Sequence, residues 1–444
     1  MPQALAPTLH FFQGTHGLGV QVLLRVGTSG LLFDFGTPYE PTRGPFNAFV
    51  RPRAGREAED LLRVGWAPPI AGLYAGNPVL PDGALHDLEN LAVFTSHHDL
   101  DHSALVPHLS PGVPLYATPE TIRSYRAMGW RHDAYQPVEA GGSFRVGDMA
   151  FTVVEVDHGP LGAAGFLARV GEATIAYTGD WRWHGAHPER IDAFIEVCRD
   201  ADVDVLLFEA NRAGGHYDPP PGEDLSQEGW CERVDATLDR ADGWLVYGFD
   251  PRDHAALRAA QDRFEAAGRR LVVHADTAEL LARYDALAAE VATPAALQPR
   301  PVLSLHDPGV RDAVLRDPSR FVIEARMEVF PELQHLFEEV EHGGARRGAR
   351  PFLHAGGPFG SFEASWATFQ GWLERLSLDR VPLSVNGHAP EADVHRLVRA
   401  VAPRLAIPVH SPDPARAVPE GVARFLPQRG DVIRLEPGGV ITHL

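Results

Sequence analysis

Cysteine is nearly absent: Cys198 and Cys231 are the two in 444 residues. That excludes a disulfide framework or a cysteine-rich zinc knuckle, and it makes a reducing, cytoplasmic compartment the expected location. No run of about 18 apolar residues occurs, so neither a membrane-spanning helix nor a membrane partner is expected. The N-terminal MPQALAPTLHFFQG lacks a basic stretch followed by an apolar one, and no signal peptide is expected there. No internal repeat is present, and the 38 prolines and 43 glycines are spread along the chain, which excludes a solenoid or a low-complexity tail. The net charge of −19 excludes a polycation. It leaves room for phosphate binding at a metal site or a local basic groove. What remains is an ordinary globular composition, 44% hydrophobic and 22% charged, long enough for a large core in two lobes.

The most informative stretch is Leu91 to Leu109, LAVFTSHHDLDHSALVPHL. Leu91 to Thr95 has the apolar run of a short buried strand, and helical spacing of apolar residues resumes from Ser103. His97, His98, Asp99, Asp101 and His102 lie between them. Side chains two apart at a strand end point the same way, so His97 and Asp99 face one point while Asp101 and His102 approach it from the following turn. Imidazole and carboxylate in that pattern make a cage for a divalent metal. His98 points away from His97 and is expected to be a surface residue.

Earlier in the chain, Val20, Val22 and Leu24 alternate as a strand, a turn follows at Gly27 to Gly30, and LLFDFG runs from Leu31 to Gly36. Asp34 near the end of this predicted hairpin needs a partner. It either orients a metal-bound histidine or caps the turn at Gly36 to Pro38. The strand over 150–156 ends on Asp157 and His158, followed by the glycine-rich GPLGAAGF, which can bring backbone close to a ligand. Thr174 to Thr178 leads to Gly179 and Asp180, and Val203 to Phe208 ends in Glu209. Strands that end in His, Asp or Glu place those groups where sites recur in helix-flanked sheets.

Residues 213–223 are rich in Gly and Pro and mark a boundary. Beyond them helices and strands alternate, with Trp244 to Phe249 and Arg270 to His274 as strands and Asp253 to Ala267 as a helix, the spacing of an inserted α/β lobe. HAGGPFGSF, His354 to Phe362, is either a backbone cradle for phosphate or a tight turn. Arg346, Arg347 and Arg350 just before it are candidate contacts to a phosphate backbone. His388 in VPLSVNGHAP and His410 in LAIPVHSPDP follow near strand ends, where the chain returns to its first lobe.

The stretch around His97, Asp101 and His102 resembles the H-x-H-x-D-H signature of the metallo-β-lactamase superfamily, with Asp99 in place of the second His. The whole set resembles the β-CASP nuclease branch, which includes ribonuclease J and the endonuclease of mRNA 3′-end processing. VDHGPLGAAGF and YTGDWRWHG are similar to the third and fourth metal motifs, Glu209 falls at motif A, His388 at motif B and His410 at motif C.

That resemblance implies an α/β fold, a metallo-β-lactamase αββα sandwich with an inserted α/β β-CASP domain. The core would occupy residues 1–212 and 382–444 and the insertion residues 213–381. Two divalent ions, zinc or manganese, would be held by His97, Asp99, His158 and Asp180 and by Asp101, His102, Asp180 and His410. The catalytic residues implied are Asp101, His388 as proton donor to the leaving oxygen, and Glu209 orienting it. The activity implied is hydrolysis of nucleic acid, RNA ahead of DNA, by a metal-activated hydroxide; the oligomeric mode of ribonuclease J does not carry over, and a homodimer is the assembly considered. The alternatives are hydrolysis of a small ester, lactone or phosphodiester, and a non-catalytic nucleic-acid-binding subunit. Two departures bear on this: Asp99 hardens the site and favours manganese, and Ser384 and Asn386 replace the first His and the Ser of the H-x-S-G-H-A motif, which argues against 5′-directed exonuclease action.

Overall fold

The structure, a computed structural model, describes residues 6–14, 16–40, 44–47, 49–288, 299–341, 349–436 and 440–444. It is mixed α/β, with the chain divided into two compact units: Met1–Tyr125 with Gly129–Asp218 and Gly387–Leu444, and Pro219–Asn386 with Arg126–Met128.

The first unit is built on two sheets. One has eight strands in the order Val440–His443, Val432–Glu436, Thr8–Gln13, Gln21–Val26, Ser29–Phe33, Asn90–Phe94, Leu115–Ala117 and Tyr135–Pro137. The other has six, in the order Leu405–Val409, Val205–Glu209, Ala173–Tyr177, Ala164–Val170, Met149–Glu155 and Ser143–Val146. Successive strand residues point to opposite faces, and the sequence uses this. Val22, Leu24, Leu31, Phe33, Ala92 and Phe94 of the first sheet share one cluster with Phe151, Val153, Phe166, Ala168, Ile175, Tyr177, Leu207 and Ile407 of the second. The intervening Leu23, Leu32 and Val93 are also buried, so the central strands of the first sheet are covered on both faces. On the outer face of the second sheet Leu206 and Phe208 pack with Ile191 and Phe194 of the helix Pro188–Asp200 and with Val394 and Leu397 of the helix Glu391–Val401. Burying each such aliphatic or aromatic side chain contributes roughly 1.5–3 kcal/mol.

Strand direction decides where the polar ends fall. Met149–Glu155 and Ala173–Tyr177 are each antiparallel to Ala164–Val170 and so run the same way. Val205–Glu209 is parallel to Ala173–Tyr177, and Leu405–Val409 is parallel to Val205–Glu209. Four strands therefore finish at one edge of their sheet. In the other sheet Ser29–Phe33 and Asn90–Phe94 are parallel and end together on Asp34 and on Thr95, Ser96 and His97.

The second unit contains a six-stranded parallel sheet in the order Leu303–Ser304, Arg270–Val273, Phe321–Glu324, Val246–Gly248, Arg350–His354 and Leu378–Pro382. Both faces are covered, as an all-parallel sheet requires. Tyr247, Leu271, Val273 and Leu353 pack with Leu257, Phe264 and Leu281. Val246, Val272, Phe321 and Phe352 pack with Val314, Phe330, Leu333 and Phe369. The predicted helix after Asp253 is His254–Ala266, and the Asp253 carboxylate accepts from the Ala256 amide at 3.1 Å, a cap of about 0.5–2 kcal/mol.

One expectation for this unit is corrected and one pair of alternatives is decided. Arg350 is buried at the start of its strand, where it donates to the Leu376 carbonyl at 2.6 Å and stacks 4.2 Å over Phe337. It packs the unit and does not face a backbone phosphate; Arg346 and Arg347 lie outside the described residues. In the His354 to Phe362 loop the amides of Ala355 and Gly356 are spent on the Gly248 carbonyl at 2.7 and 3.1 Å. A side chain at Gly356 would meet the Phe249 backbone at 3.0 Å. The turn is a packing device, since those amides are not free for a phosphate.

Burial and the Arg380 guanidinium, which donates to Nδ1 at 3.0 Å, push the His354 imidazole down to about 3. The folded chain keeps this ring neutral while the unfolded chain protonates it near pH 6.5. Stability is therefore complete above about pH 6.5 and falls as the pH drops toward the folded value. Between about pH 6.5 and about pH 4, the urea midpoint of the wild type should fall more steeply than that of His354→Gln. Parallel slopes would contradict this assignment.

Candidate metal centre

The polar strand ends of the first unit converge. His97 follows Asn90–Phe94, and Asp99 precedes the short helical turn Leu100–Ser103 that carries Asp101 and His102. His158 follows Met149–Glu155, Asp180 follows Ala173–Tyr177, Glu209 ends its strand, and His410 follows Leu405–Val409. The ring centroids run in sequence: His158 to His97 4.7 Å, His97 to His102 4.3 Å, His102 to His410 5.0 Å, and His410 to His388 5.3 Å.

The Asp180 carboxylate, 1% exposed, lies among them. Its Oδ2 is 3.8 Å from His97 Nε2, 3.2 Å from His102 Nε2 and 3.6 Å from His388 Nδ1, and its Oδ1 is 3.7 Å from His410 Nδ1. On one side the Asp99 carboxylate is 3.5 Å from His97 Nε2 and 3.4 Å from His158 Nε2. On the other, the Asp101 carboxylate is 2.9 Å from His410 Nε2 and 3.8 Å from His102 Nε2. Glu209 is fully buried, accepts from the Asn211 amide at 2.8 Å, and has Oε1 3.5 Å from His388 Nδ1. All nine residues read from the sequence as ligating or catalytic thus stand in one cluster. His98 does not join it; it is 1% exposed, so the surface placement expected for it is wrong.

The donors fit divalent ions. Nε2 of His97, His102 and His158, Nδ1 of His410 and Oδ1 of Asp180 are buried and make no hydrogen bond. Each such atom costs roughly 1–3 kcal/mol if nothing meets it. Ligand atoms within each of the sets His97, Asp99, His158 and His97, His102, Asp180 and Asp101, His102, His410 lie within 4.8 Å of one another, as atoms about 2 Å from a shared ion do.

The electrostatics follow from the packing. Burial opposes charge on Asp180, but the imidazoles, His102 first, outweigh it and hold the carboxyl well below the usual range. Burial likewise opposes charge on Asp99, and the adjacent His158 and His97 more than offset it and hold the carboxyl well below the usual range. Burial and the neighbouring His102 lower the pKa of His97, which favours the neutral ring that ligates.

Further contacts hold these groups, and of the residues that make them the sequence had singled out Asp34. Asp34 takes the first of its two expected roles: its Oδ2 accepts from His102 Nδ1 at 2.7 Å. His158 Nδ1 meets the Gly387 carbonyl at 2.6 Å, and a Cβ on Gly387 would sit 2.5 Å from His158 Cε1. A Cβ on Gly36 would lie 2.0 Å from the Asp101 carbonyl carbon, so that glycine lets the Asp101–His102 backbone approach. In the GPLGAAGF loop, Gly165 packs against the Tyr177 carbonyl and serves the sheet. Ser96 and Tyr177 bond to Asp34. The signal for Tyr177 was a buried strand tyrosine whose hydroxyl requires a partner.

Residues 68–227 match the family model described as a beta-lactamase superfamily domain. That segment carries His97 through Glu209 and stops short of His388 and His410. The chain thus contains a segment similar to that superfamily, which points to a metallo-hydrolase, and the two-sheet sandwich is consistent with a metallo-β-lactamase fold. A crystal structure of a protein of unknown function from Enterococcus faecalis V583 superposes with a TM-score of 0.72 at 22% identity, covering 97% of this chain and 100% of that one. At that identity the likeness concerns the fold alone. No curated protein matches the chain. Among the described residues, no helix is long and apolar enough to cross a membrane.

Substituting Gly387→Ala should force the His158 ring aside and lower the divalent metal retained after desalting, with the circular dichroism spectrum unchanged. Unaltered metal content by elemental analysis would refute the role given to that glycine.

Proposed function

We propose that this protein is a metal-dependent phosphodiesterase that hydrolyses nucleic acid, RNA ahead of DNA, in a reducing cytoplasm. The observation that carries the proposal is the position of Asp180, one buried carboxylate within 4 Å of four imidazoles and flanked by Asp99 on one side and Asp101 on the other. His97, Asp99, His158 and Asp180 would hold one divalent ion, and Asp101, His102, His410 and Asp180 a second. When bound, such a pair would supply acidity to a water and offset charge on the scissile phosphate.

The chain's own groups account for the rest of the reaction. Asp180 fixes the spacing of the two positions. His388 stands 3.5 Å from the buried Glu209, which holds its ring in place. From there His388 gives a proton to the departing oxygen. With Asp99 present, each position offers two imidazole nitrogens and two carboxylates. This donor set is harder than three imidazoles and one carboxylate, and it favours manganese over zinc.

The second α/β unit, which we assign as a β-CASP-like insertion over residues 213–381, favours a polymeric substrate over a small ester. The order of motifs A, B and C, with Glu209 and His388 side by side, supports the same reading.

Labelled single-stranded RNA and DNA oligonucleotides with manganese or zinc test the proposal. Asp180→Asn and His158→Ala should remain folded, lose bound metal and lose cleavage by a factor on the order of a thousand or more. His388→Ala should keep its metal and lose roughly 10²–10⁴ in rate. Full cleavage by Asp180→Asn, or turnover of chromogenic carboxylic esters with oligonucleotides untouched, would overturn it.

A further inference from the structure

Ser96 stands between Asp34 and His97, and its single hydroxyl proton decides the state of the imidazole. Asp34 is fully buried, and four donors converge on it. The Ser96 amide reaches Oδ1 at 2.7 Å, while the Ser96 hydroxyl at 2.9 Å, His102 Nδ1 at 2.7 Å and the Tyr177 hydroxyl at 2.5 Å all reach Oδ2. A carboxylate only accepts, so the Ser96 proton is committed to Asp34. What Ser96 Oγ presents to His97 Nδ1, 2.9 Å away, is a lone pair. That contact is a hydrogen bond only when His97 carries its proton on Nδ1. His97 Nε2, which makes no hydrogen bond, is then the bare nitrogen turned toward Asp99 and Asp180.

We propose that Ser96 is a positioning residue that locks His97 in the Nδ1–H tautomer, so that the one carboxylate of Asp34 sets the donor atoms of both His97 and His102. The inference rests on the metal-centre reading above and deepens it. The two imidazoles belong to different ion positions, so a single buried network prepares both before any ion arrives. Ser96 is 1% exposed and His97 is 0% exposed, which leaves bulk water no part in the choice. Asp34 is held at φ 56°, a left-handed conformation uncommon for a residue with a side chain. Tyr177 completes the set of donors on Asp34.

The test uses the full chain with labelled histidine, stripped of metal, and reads tautomers from long-range nitrogen–proton correlations. The wild type should show His97 and His102 both as Nδ1–H. Ser96→Ala should mix the His97 tautomers, leave His102 as Nδ1–H, and weaken manganese binding at one of two positions by about 10–100-fold. Tyr177→Phe should leave the His97 tautomer unchanged. An Nε2–H form of His97 in the wild type overturns the inference even if Ser96→Ala fails to fold. So does Ser96→Ala with an unmixed His97 and unaltered affinities. A wild type with the expected tautomers that binds no manganese would instead defeat the metal-centre reading, so the two failures are distinguishable.

Discussion

The carboxylate of Asp180 has almost no contact with water and faces four imidazoles, and much of the first unit serves to keep it there. A charge taken out of water is expensive unless it is paired and hydrogen-bonded. Here the compensation comes from His97, His102, His388 and His410, none of which could reach the same point from one strand or one helix. The centre is therefore a property of the tertiary fold.

That dependence explains the sheet architecture. Four strands of the six-stranded sheet end at one edge, and two parallel strands of the other sheet end together, so six segments deliver polar groups. Between the sheets, Phe33, Phe94, Phe166 and Tyr177 pack as one cluster. Phe33 meets Phe166 edge-on at 5.2 Å and Tyr177 at 4.9 Å, which fixes the strands a few residues before the ends that matter. The backbone is strained where it turns into the centre: Asp34 and His410 have φ of 56° and 52°. Each such residue costs about 1–3 kcal/mol, and strain of that size persists only where the surroundings hold it.

Most of the clustered residues were legible in the sequence because they follow apolar runs, and a strand that ends in His or Asp advertises itself. The alternation over Val20, Val22 and Leu24 likewise gave the hairpin, whereas the sandwich came from the resemblance and not from local pattern. Apart from Asp34, the supporting contacts were not legible. Ser96 and Gly387 act through neighbours 62 and 229 residues distant, Asp34 and His158 respectively, and no local pattern encodes such a pairing. Arg350 misled because a cationic run reads as available to a phosphate, whereas its guanidinium is stacked on Phe337 and bonded to a carbonyl. His98 misled for a related reason: alternation gave its direction, away from His97, but not that the interior continues on that side.

Asp99 is where this chain leaves the pattern it resembles, and it is also where the two-ion account is most exposed. Its carboxylate stands within 3.5 Å of two imidazoles that otherwise have no partner on the facing nitrogen. Anomalous scattering from a crystal grown with manganese, recorded on either side of the metal edge, tests this most directly. The account predicts two peaks, one against His97, Asp99 and His158 and one against Asp101, His102 and His410, with Asp180 touching both. A single peak with Asp99 turned away, or none within reach of Asp180, would contradict it.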